Sequence, residues 1–238
     1  MGKFFNLDSP FVQFMNRVAD LMWLNILFVI CCIPVITIGD SITAMYYITL
    51  KMTRDEESYI TKGFFKSFKQ NFVQATIIWL IFLLLGGLLV LDYMIVSGRL
   101  GFSIGNSSVE SVMQVLLIAV LIFYLFTLTF VFPLLSKFDN SVKNTIKNAF
   151  IISVRHFPVT LGCIAIWILA ALALIYIPIM TLFSIFILFS VVAFGCSFMY
   201  VRVFDKYLPA DATVTEENEE TGEASPDENE ETAEESAL

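Results

Sequence analysis

The sequence predicts an all-α fold: a polytopic transmembrane helical bundle of about five to six membrane segments, the first one broken, with cytoplasmic amphipathic interfacial helices. Of the 238 residues, 58% are hydrophobic and 15% are charged, and the mean hydropathy is +0.79. Soluble domains average about 45–50% apolar and about 25% charged residues, so this composition is typical of a membrane protein. A span needs about 20 largely apolar residues. Four segments meet that length, namely 72–96, 112–135, 159–179 and 180–203.

The first hydrophobic region, residues 18–50, is too long for one untilted span and short for two. Pro34 and Gly39 divide it into two parts, because both residue types disfavour a helix interior. The region either enters the membrane and returns, with the N-terminus on the cytoplasmic side, or forms one long helix, with the N-terminus outside. Lys3 and Arg17 favour the broken, returning form, since positive residues mark cytoplasmic ends.

Positive residues concentrate in two connections, the one before the segment 72–96 and the one between 112–135 and 159–179. Both connections and the C-terminus are therefore predicted to be cytoplasmic. Each connection has the pattern of an amphipathic helix that lies on the membrane and turns its cations toward anionic lipid headgroups. The residues predicted at this interface are Lys62, Lys66, Lys69, Lys143, Lys147 and Arg155.

Two domains are predicted, an integral membrane helical domain at 1–208 and a cytoplasmic acidic tail at 209–238. The tail contains twelve Asp or Glu residues and no Lys or Arg. Because it also lacks aromatic residues and has little to bury, it is predicted to be disordered.

Motifs for enzymatic chemistry do not occur in the sequence. The one histidine, His156, lies at a predicted boundary between water and lipid and is interpreted as an interfacial anchor. No metalloprotease, P-loop, dinucleotide-binding or serine-hydrolase motif is found. The sequence therefore predicts no enzyme, no cofactor, no metal site and no nucleic-acid partner. Cysteines occur only in apolar runs and are interpreted as small packing residues: Cys31, Cys32, Cys163 and Cys196.

Asp40 is the charged residue at membrane depth that most needs an explanation, because burying a carboxylate is costly. Asp40, Thr43 and Tyr47 are spaced three and four residues apart and share one helical face. One interpretation makes Asp40 or Ser41 the N-cap of a helix that runs to residue 51. The other places an unwound backbone at 37–39 at a solute or ion site, and both can hold together. The candidate functional or helix-break residues are Asn25, Pro34, Thr37, Gly39, Asp40 and Thr43.

Three stretches resemble the YesL family of bacterial membrane proteins, whose function is uncharacterised: "LNILFVICCIPVITIGDSITAMYYITLKM", "GFFKSFKQNFVQATIIWLI" and "FPLLSKFDNSVKNTIKNAFIISVRHFP". The resemblance covers about residues 1–206. Its most specific residues are Asn25, Pro34, Thr37, Gly39 and the Phe/Lys/Asn run that ends at Asn71-Phe72. It implies a multi-pass protein of the bacterial cytoplasmic (cell) membrane. Family members are often encoded beside carbohydrate uptake systems, which implies an accessory or regulatory role in sugar import.

The leading functional prediction is a non-enzymatic accessory or regulatory component associated with carbohydrate uptake, with a carbohydrate transport system as its partner. The first alternative is a small autonomous permease that uses the broken-helix region 34–41. The second is a scaffold whose basic helices and acidic tail recruit partners. No oligomeric state is predicted.

Overall fold

The computed structural model describes residues 10–56, 59–99 and 107–207. Every regular element within these ranges is a helix. A 3-10 turn precedes the second helix at Val35–Thr37, and a π-helical segment, Ser184–Leu188, joins the last two. The helices are α1 (Pro10–Cys31), α2 (Ile38–Thr53), α3 (Ile60–Val96), α4 (Ser107–Lys137), α5 (Val142–Arg155), α6 (Phe157–Tyr176), α7 (Ile179–Phe183) and α8 (Phe189–Phe204).

Five helices in the described part of the chain are long and apolar enough to cross a membrane. The last of them combines α7, the π-helical segment and α8 into one span. Many large apolar side chains on these helices are exposed, as lipid-facing residues should be, because a bilayer solvates them. The predicted all-α, multi-pass bundle is confirmed. The five spans are Phe11–Cys31, Ile60–Val96, Val109–Lys137, Phe157–Tyr176 and Ile179–Phe204.

The first hydrophobic region forms a helical hairpin. Helix α1 ends at Cys31, and α2 starts at Ile38. Arg17 in α1 donates a hydrogen bond to the carbonyl oxygen of Met52 at 3.2 Å and forms an ion pair with Asp55, so the end of α2 lies beside the first half of α1. The break and the return of the chain are confirmed, and the alternative of a single long helix is wrong, whereas the cytoplasmic position of the N-terminus stays a prediction.

Helix α2 is the most buried helix of the hairpin. At 16 residues, or about 24 Å, it is shorter than the bilayer core of about 30 Å. It packs against α1, α3 and α4. Eleven of its residues are buried, among them the wholly buried Ala44, Met45 and Ile48. Small and polar residues alternate with these large ones, which lets neighbouring helices approach α2 closely.

Helix α3 runs without interruption from Ile60 to Val96, so the basic helix predicted before residue 72 is continuous with the span that follows it. At 37 residues it is about 56 Å long, longer than the bilayer core. Asn71 does not end a helix there, because its side-chain amide donates to the carbonyl oxygen of Ser67 at 3.1 Å and is buried. No proline lies between residues 60 and 96 to break the helix.

Helix α5, by contrast, is a separate amphipathic helix, as predicted. It ends where Pro158 follows, because proline lacks the N–H that would bond the carbonyl of Val154 and its ring clashes with that turn. Its buried face holds Thr145 and Ala149, while its lysines are exposed. The predicted acidic tail at 209–238 and the boundary at residue 208 lie outside the described residues.

Pro133 lies inside α4, which nevertheless continues to Lys137. A proline removes the hydrogen bond to the carbonyl four residues earlier, here that of Thr129. The hydroxyl of Tyr200 on α8 donates to this carbonyl oxygen at 2.9 Å. Tyr200 thus replaces the missing helix bond and connects α4 to α8.

Replacing Tyr200 by Phe should lower the free energy of unfolding by about 1–2 kcal/mol, because the carbonyl of Thr129 loses its donor. Thermal unfolding in detergent measures this loss. The matched control is Tyr93→Phe, which changes an exposed tyrosine and should shift stability by less than about 0.5 kcal/mol. Equal stability of Tyr200→Phe and the wild type would show that this contact contributes nothing.

Candidate functional site

The break between α1 and α2 is held by one threonine. The hydroxyl of Thr37 donates to the carbonyl oxygens of Cys31 at 2.7 Å and Pro34 at 2.9 Å. The last carbonyls of a helix have no partner within it, so this hydroxyl satisfies one at the end of α1. Pro34 itself is exposed in an extended conformation (φ −76°, ψ 122°) and starts the 3-10 turn. Thr37 and Pro34 therefore determine the backbone structure of the break between α1 and α2.

Helices α2 and α3 are in close contact at Gly39. A Cβ atom built on Gly39 would lie 2.6 Å from the Cβ of Trp79 and 2.8 Å from the carbonyl oxygen of Ala75. The indole of Trp79 donates to the carbonyl oxygen of Val35 at 2.8 Å. The break thus packs closely on α3, because residue 39 has no side chain and because the indole of Trp79 donates a hydrogen bond to the break.

Asp40 lies in the first turn of α2 and is wholly buried. Its Oδ2 accepts a hydrogen bond from the hydroxyl of Thr76 at 2.9 Å. Its Oδ1 is the one buried side-chain nitrogen or oxygen without a hydrogen-bond partner in the ranges 10–56, 59–99 and 107–207. A carboxylate near a helix N-terminus is favoured by the helix dipole, which partly offsets its burial.

The N-cap interpretation of Asp40 and Ser41 is wrong. The 3-10 turn leads directly into α2, so the N-cap position is Thr37, three residues before Asp40. The hydroxyl of Ser41 instead donates back to the carbonyl oxygen of Thr37 at 2.9 Å. Ser41 therefore stabilises the start of α2 from within the helix.

The side chains of Asp40, Thr43 and Tyr47, predicted to share one face of α2, do not bond to one another. Thr43 is buried beside Asp40, but its hydroxyl donates to the carbonyl oxygen of Gly39 at 2.9 Å and so serves its own helix. Tyr47 is half-buried, with the ammonium of Lys51 5.1 Å from its ring centroid. The partner of Asp40 is Thr76 on α3, which the sequence had not indicated.

Asn25 lies elsewhere, at the contact between α1 and the last span. Its side-chain amide donates to the carbonyl oxygens of Ser184 at 2.9 Å and Ile185 at 2.8 Å. Its Oδ1 accepts from the backbone N–H of Ser190 at 3.0 Å, and the hydroxyl of Ser190 donates to the carbonyl oxygen of Leu21 at 2.7 Å. A π-helical segment interrupts the regular helical ladder, and here a side chain inserts into the gap. Asn25 is a structural connector, and its hydrogen bonds do not involve Asp40.

The predicted interfacial cations do not gather at the break. Lys62, together with the other two lysines of α3, lies near the start of that helix, and its ammonium is 5.1 Å from the ring centroid of Tyr59. All six are exposed, which suits contact with headgroups: Lys62, Lys66, Lys69, Lys143, Lys147 and Arg155.

The chemistry available at the break is limited to hydrogen bonding and charge. Asp40 offers one free carboxylate oxygen, and Thr76 offers a hydroxyl. Among the described residues, no group of three or more His, Cys, Asp or Glu is arranged to hold a metal ion. Such an arrangement can accept a proton or a hydrogen-bond donor.

The comparisons with known proteins agree with an uncharacterised family. A family model described as "Protein of unknown function, DUF624" matches residues 21–93, under a third of the chain. This segment runs from α1 through the break and most of α3, and it contains Asn25, Gly39 and Asp40. No curated protein and no solved structure matches the chain. The YesL name stays a prediction. Residues 21–93 are thus similar to a protein family of unknown function, and the structure shows them as the α1–α2 hairpin docked on α3.

Proposed function

We propose that this chain is a non-enzymatic accessory or regulatory component of carbohydrate uptake in the bacterial cytoplasmic membrane. Its partners are a carbohydrate transport system and a bilayer with anionic headgroups, and its C-terminal tail lies in the cytoplasm. The resemblance to the YesL family supports the link to carbohydrate. The exposed cations of α3 and α5 support the contact with lipid headgroups.

The observation that carries this proposal is the packing of α2. The side chains of Met45 and Ile48 are 0% exposed, and the hydroxyl of Ser197 on α8 donates to the hydroxyl of Thr49 at 2.8 Å. Packed side chains therefore fill the space around α2, whereas a solute pathway needs a cavity lined by polar groups. Dense packing favours a protein that acts by associating with a transporter over one that conducts solute along α2.

Deletion of the gene tests the proposal. Growth and uptake of labelled sugar are measured over a panel of oligosaccharides, with the deletion strain carrying the gene on a plasmid as the control. We expect slower uptake of at least one sugar and full recovery with the plasmid. Unchanged uptake of every sugar would contradict the proposal.

Co-purification from native membranes identifies the partner. We expect a carbohydrate transporter to be retained by the full chain. A version that ends at residue 208 separates the membrane domain from the tail. If the partner is lost only from that version, the tail recruits it, and the scaffold alternative is supported instead.

One observation favours a second function, a small autonomous permease. The unpartnered Oδ1 of Asp40 lies beside the helix break, where carboxylates and unwound backbone bind solutes or ions in transporters. Purified protein in liposomes distinguishes the two functions. A permease moves labelled solute into the vesicles alone, whereas an accessory component gives the same flux as protein-free vesicles.

A further inference from the structure

Three sulfur atoms meet between α6 and α8, far along the chain from the helix break. Cys163 on α6 and Cys196 on α8 are both wholly buried, and their thiols are in hydrogen-bonding contact. The thioether sulfur of Met199 lies 3.9 Å from the Sγ of Cys163. Cys196 and Met199 are three residues apart on α8 and so lie on one face of that helix.

This cluster could not be recognised from the sequence, because Cys163 is 33 residues from Cys196 and 36 residues from Met199 along the chain. The cysteines were predicted to be packing residues, and thioethers are not part of the usual metal-binding patterns. We propose instead that Cys163, Cys196 and Met199 form a binding site for a soft monovalent metal ion of the Cu(I) class.

The geometry suits three sulfur ligands around one ion. Sulfur atoms that each lie about 2.3 Å from a shared metal ion are about 3.8 Å apart in a tetrahedral site and about 4.0 Å apart in a trigonal one. The observed separation between Cys163 and Met199, 3.9 Å, falls between these values. Cys163 and Met199 therefore need little rearrangement to take up the ion together.

The donor set selects the class of metal. Thiolate and thioether sulfur are soft ligands that favour Cu(I). Zinc sites in proteins use thiolate, imidazole and carboxylate ligands, and thioether is not among them. The thiolate is the ligand form of cysteine, so binding of Cu(I) to both cysteines releases two protons and leaves one net negative charge at the site.

Two neighbours hold the cluster in place. A Cβ atom on Gly162 would lie 2.5 Å from the terminal methyl group of Met199, so the glycine makes the room in which Met199 reaches Cys163. The hydroxyl of Tyr200 is in hydrogen-bonding contact with Cys163 and donates to the carbonyl of Thr129. Outer contacts of this kind orient metal ligands.

The test is an anaerobic titration of the purified, detergent-solubilised full chain with Cu(I), with ascorbate as reductant and bicinchoninate as a competing chelator. We expect one tightly bound Cu(I) per chain and a rise in the unfolding temperature on binding. X-ray absorption of the complex should show sulfur neighbours at about 2.3 Å.

Variants separate the cluster from the other thiols. The double variant Cys31→Ala/Cys32→Ala removes the two remaining cysteines and should keep the bound ion. Losing an outer contact of a metal site costs about 10–100-fold in affinity, so Cys163→Ser and Cys196→Ser should cost at least that much. Met199→Leu conserves side-chain volume, keeps the fold, and should also weaken binding and reduce the copper-induced rise in unfolding temperature.

Three outcomes of the variant and spectroscopic measurements would overturn the proposal. They are loss of the ion from the Cys31→Ala/Cys32→Ala variant, unchanged affinity in Met199→Leu, and an X-ray absorption spectrum with nitrogen or oxygen neighbours in place of sulfur. Absence of binding to the reduced wild type would overturn it directly, and a disulfide between Cys163 and Cys196 in air would then mark the pair as a redox pair.

Discussion

Replacing Gly39 by Ala should lower the free energy of unfolding by about 2–3 kcal/mol, at the upper end of the cost of overpacking a core. The added Cβ would lie 2.6 Å from the Cβ of Trp79 and 2.8 Å from the backbone oxygen of Ala75. Neither atom is the end of a flexible side chain, so α2 and α3 must move apart. Thermal unfolding in detergent measures the loss.

The same substitution elsewhere gives a matched control. A Cβ on Gly195 in α8 would meet nothing within 4 Å. Gly195→Ala should therefore stabilise the protein by about 0.5–1 kcal/mol, because alanine favours a helix interior over glycine. If Gly39→Ala were as stable as Gly195→Ala, the close contact between α2 and α3 would be refuted.

Replacing Asn25 by Leu should lower the free energy of unfolding by about 2–4 kcal/mol. Leucine has a similar size but cannot bond the carbonyls of Ser184 and Ile185 or the N–H of Ser190. These backbone groups lie at membrane depth, where water cannot replace the lost partner. Denaturant or thermal unfolding of the purified protein measures the change.

Asn16→Leu is the control for this variant, since it makes the same change on an exposed position of α1. Its stability should stay within about 0.5 kcal/mol of the wild type. A similar loss of unfolding free energy in both variants would mean that asparagine stabilises helix α1 itself. The hydrogen bonds between α1 and the last span would then contribute nothing to stability.

The helix break was predictable because its causes are local. Pro34 and Gly39 disfavour a continuous helix wherever they occur, and the apolar region is too long for one untilted span. The docking of the break was not predictable, because Gly39 meets Trp79 forty positions further along the chain. A glycine in sequence shows that space is needed, and only the fold shows what occupies it.

The two basic connections have similar sequence patterns but different structures. Both have lysines on one side and apolar residues on another, and both run into an aromatic boundary. Pro158 separates the helix of the second connection, α5, from the span that follows. The first connection has no such proline and continues as α3, in which the side-chain amide of Asn71 donates to the carbonyl oxygen of Ser67. Asn71, at the start of the first span, is a buried helix residue.

The role of Asn25 was only half predictable. A polar side chain in an apolar helix indicates a partner, because burying it alone is costly. Its partners are backbone groups of a π-helical segment, and the sequence of that segment, Ser184–Leu188, is ordinary for a membrane helix. Backbone register depends on packing, so this contact could only be seen in three dimensions.

We propose that the break and α2 form a packed joint of an accessory protein and do not form a transport pathway. The most direct test is sugar uptake by the deletion strain when it carries Asp40→Asn, with the amount of the protein in the membrane measured in parallel. The asparagine oxygen can still accept the hydroxyl of Thr76, and a neutral side chain is easier to bury. A packed joint predicts uptake at the wild-type rate. Loss of uptake with an unchanged amount of folded protein would contradict it and would place the Asp40 carboxylate in the pathway of the solute.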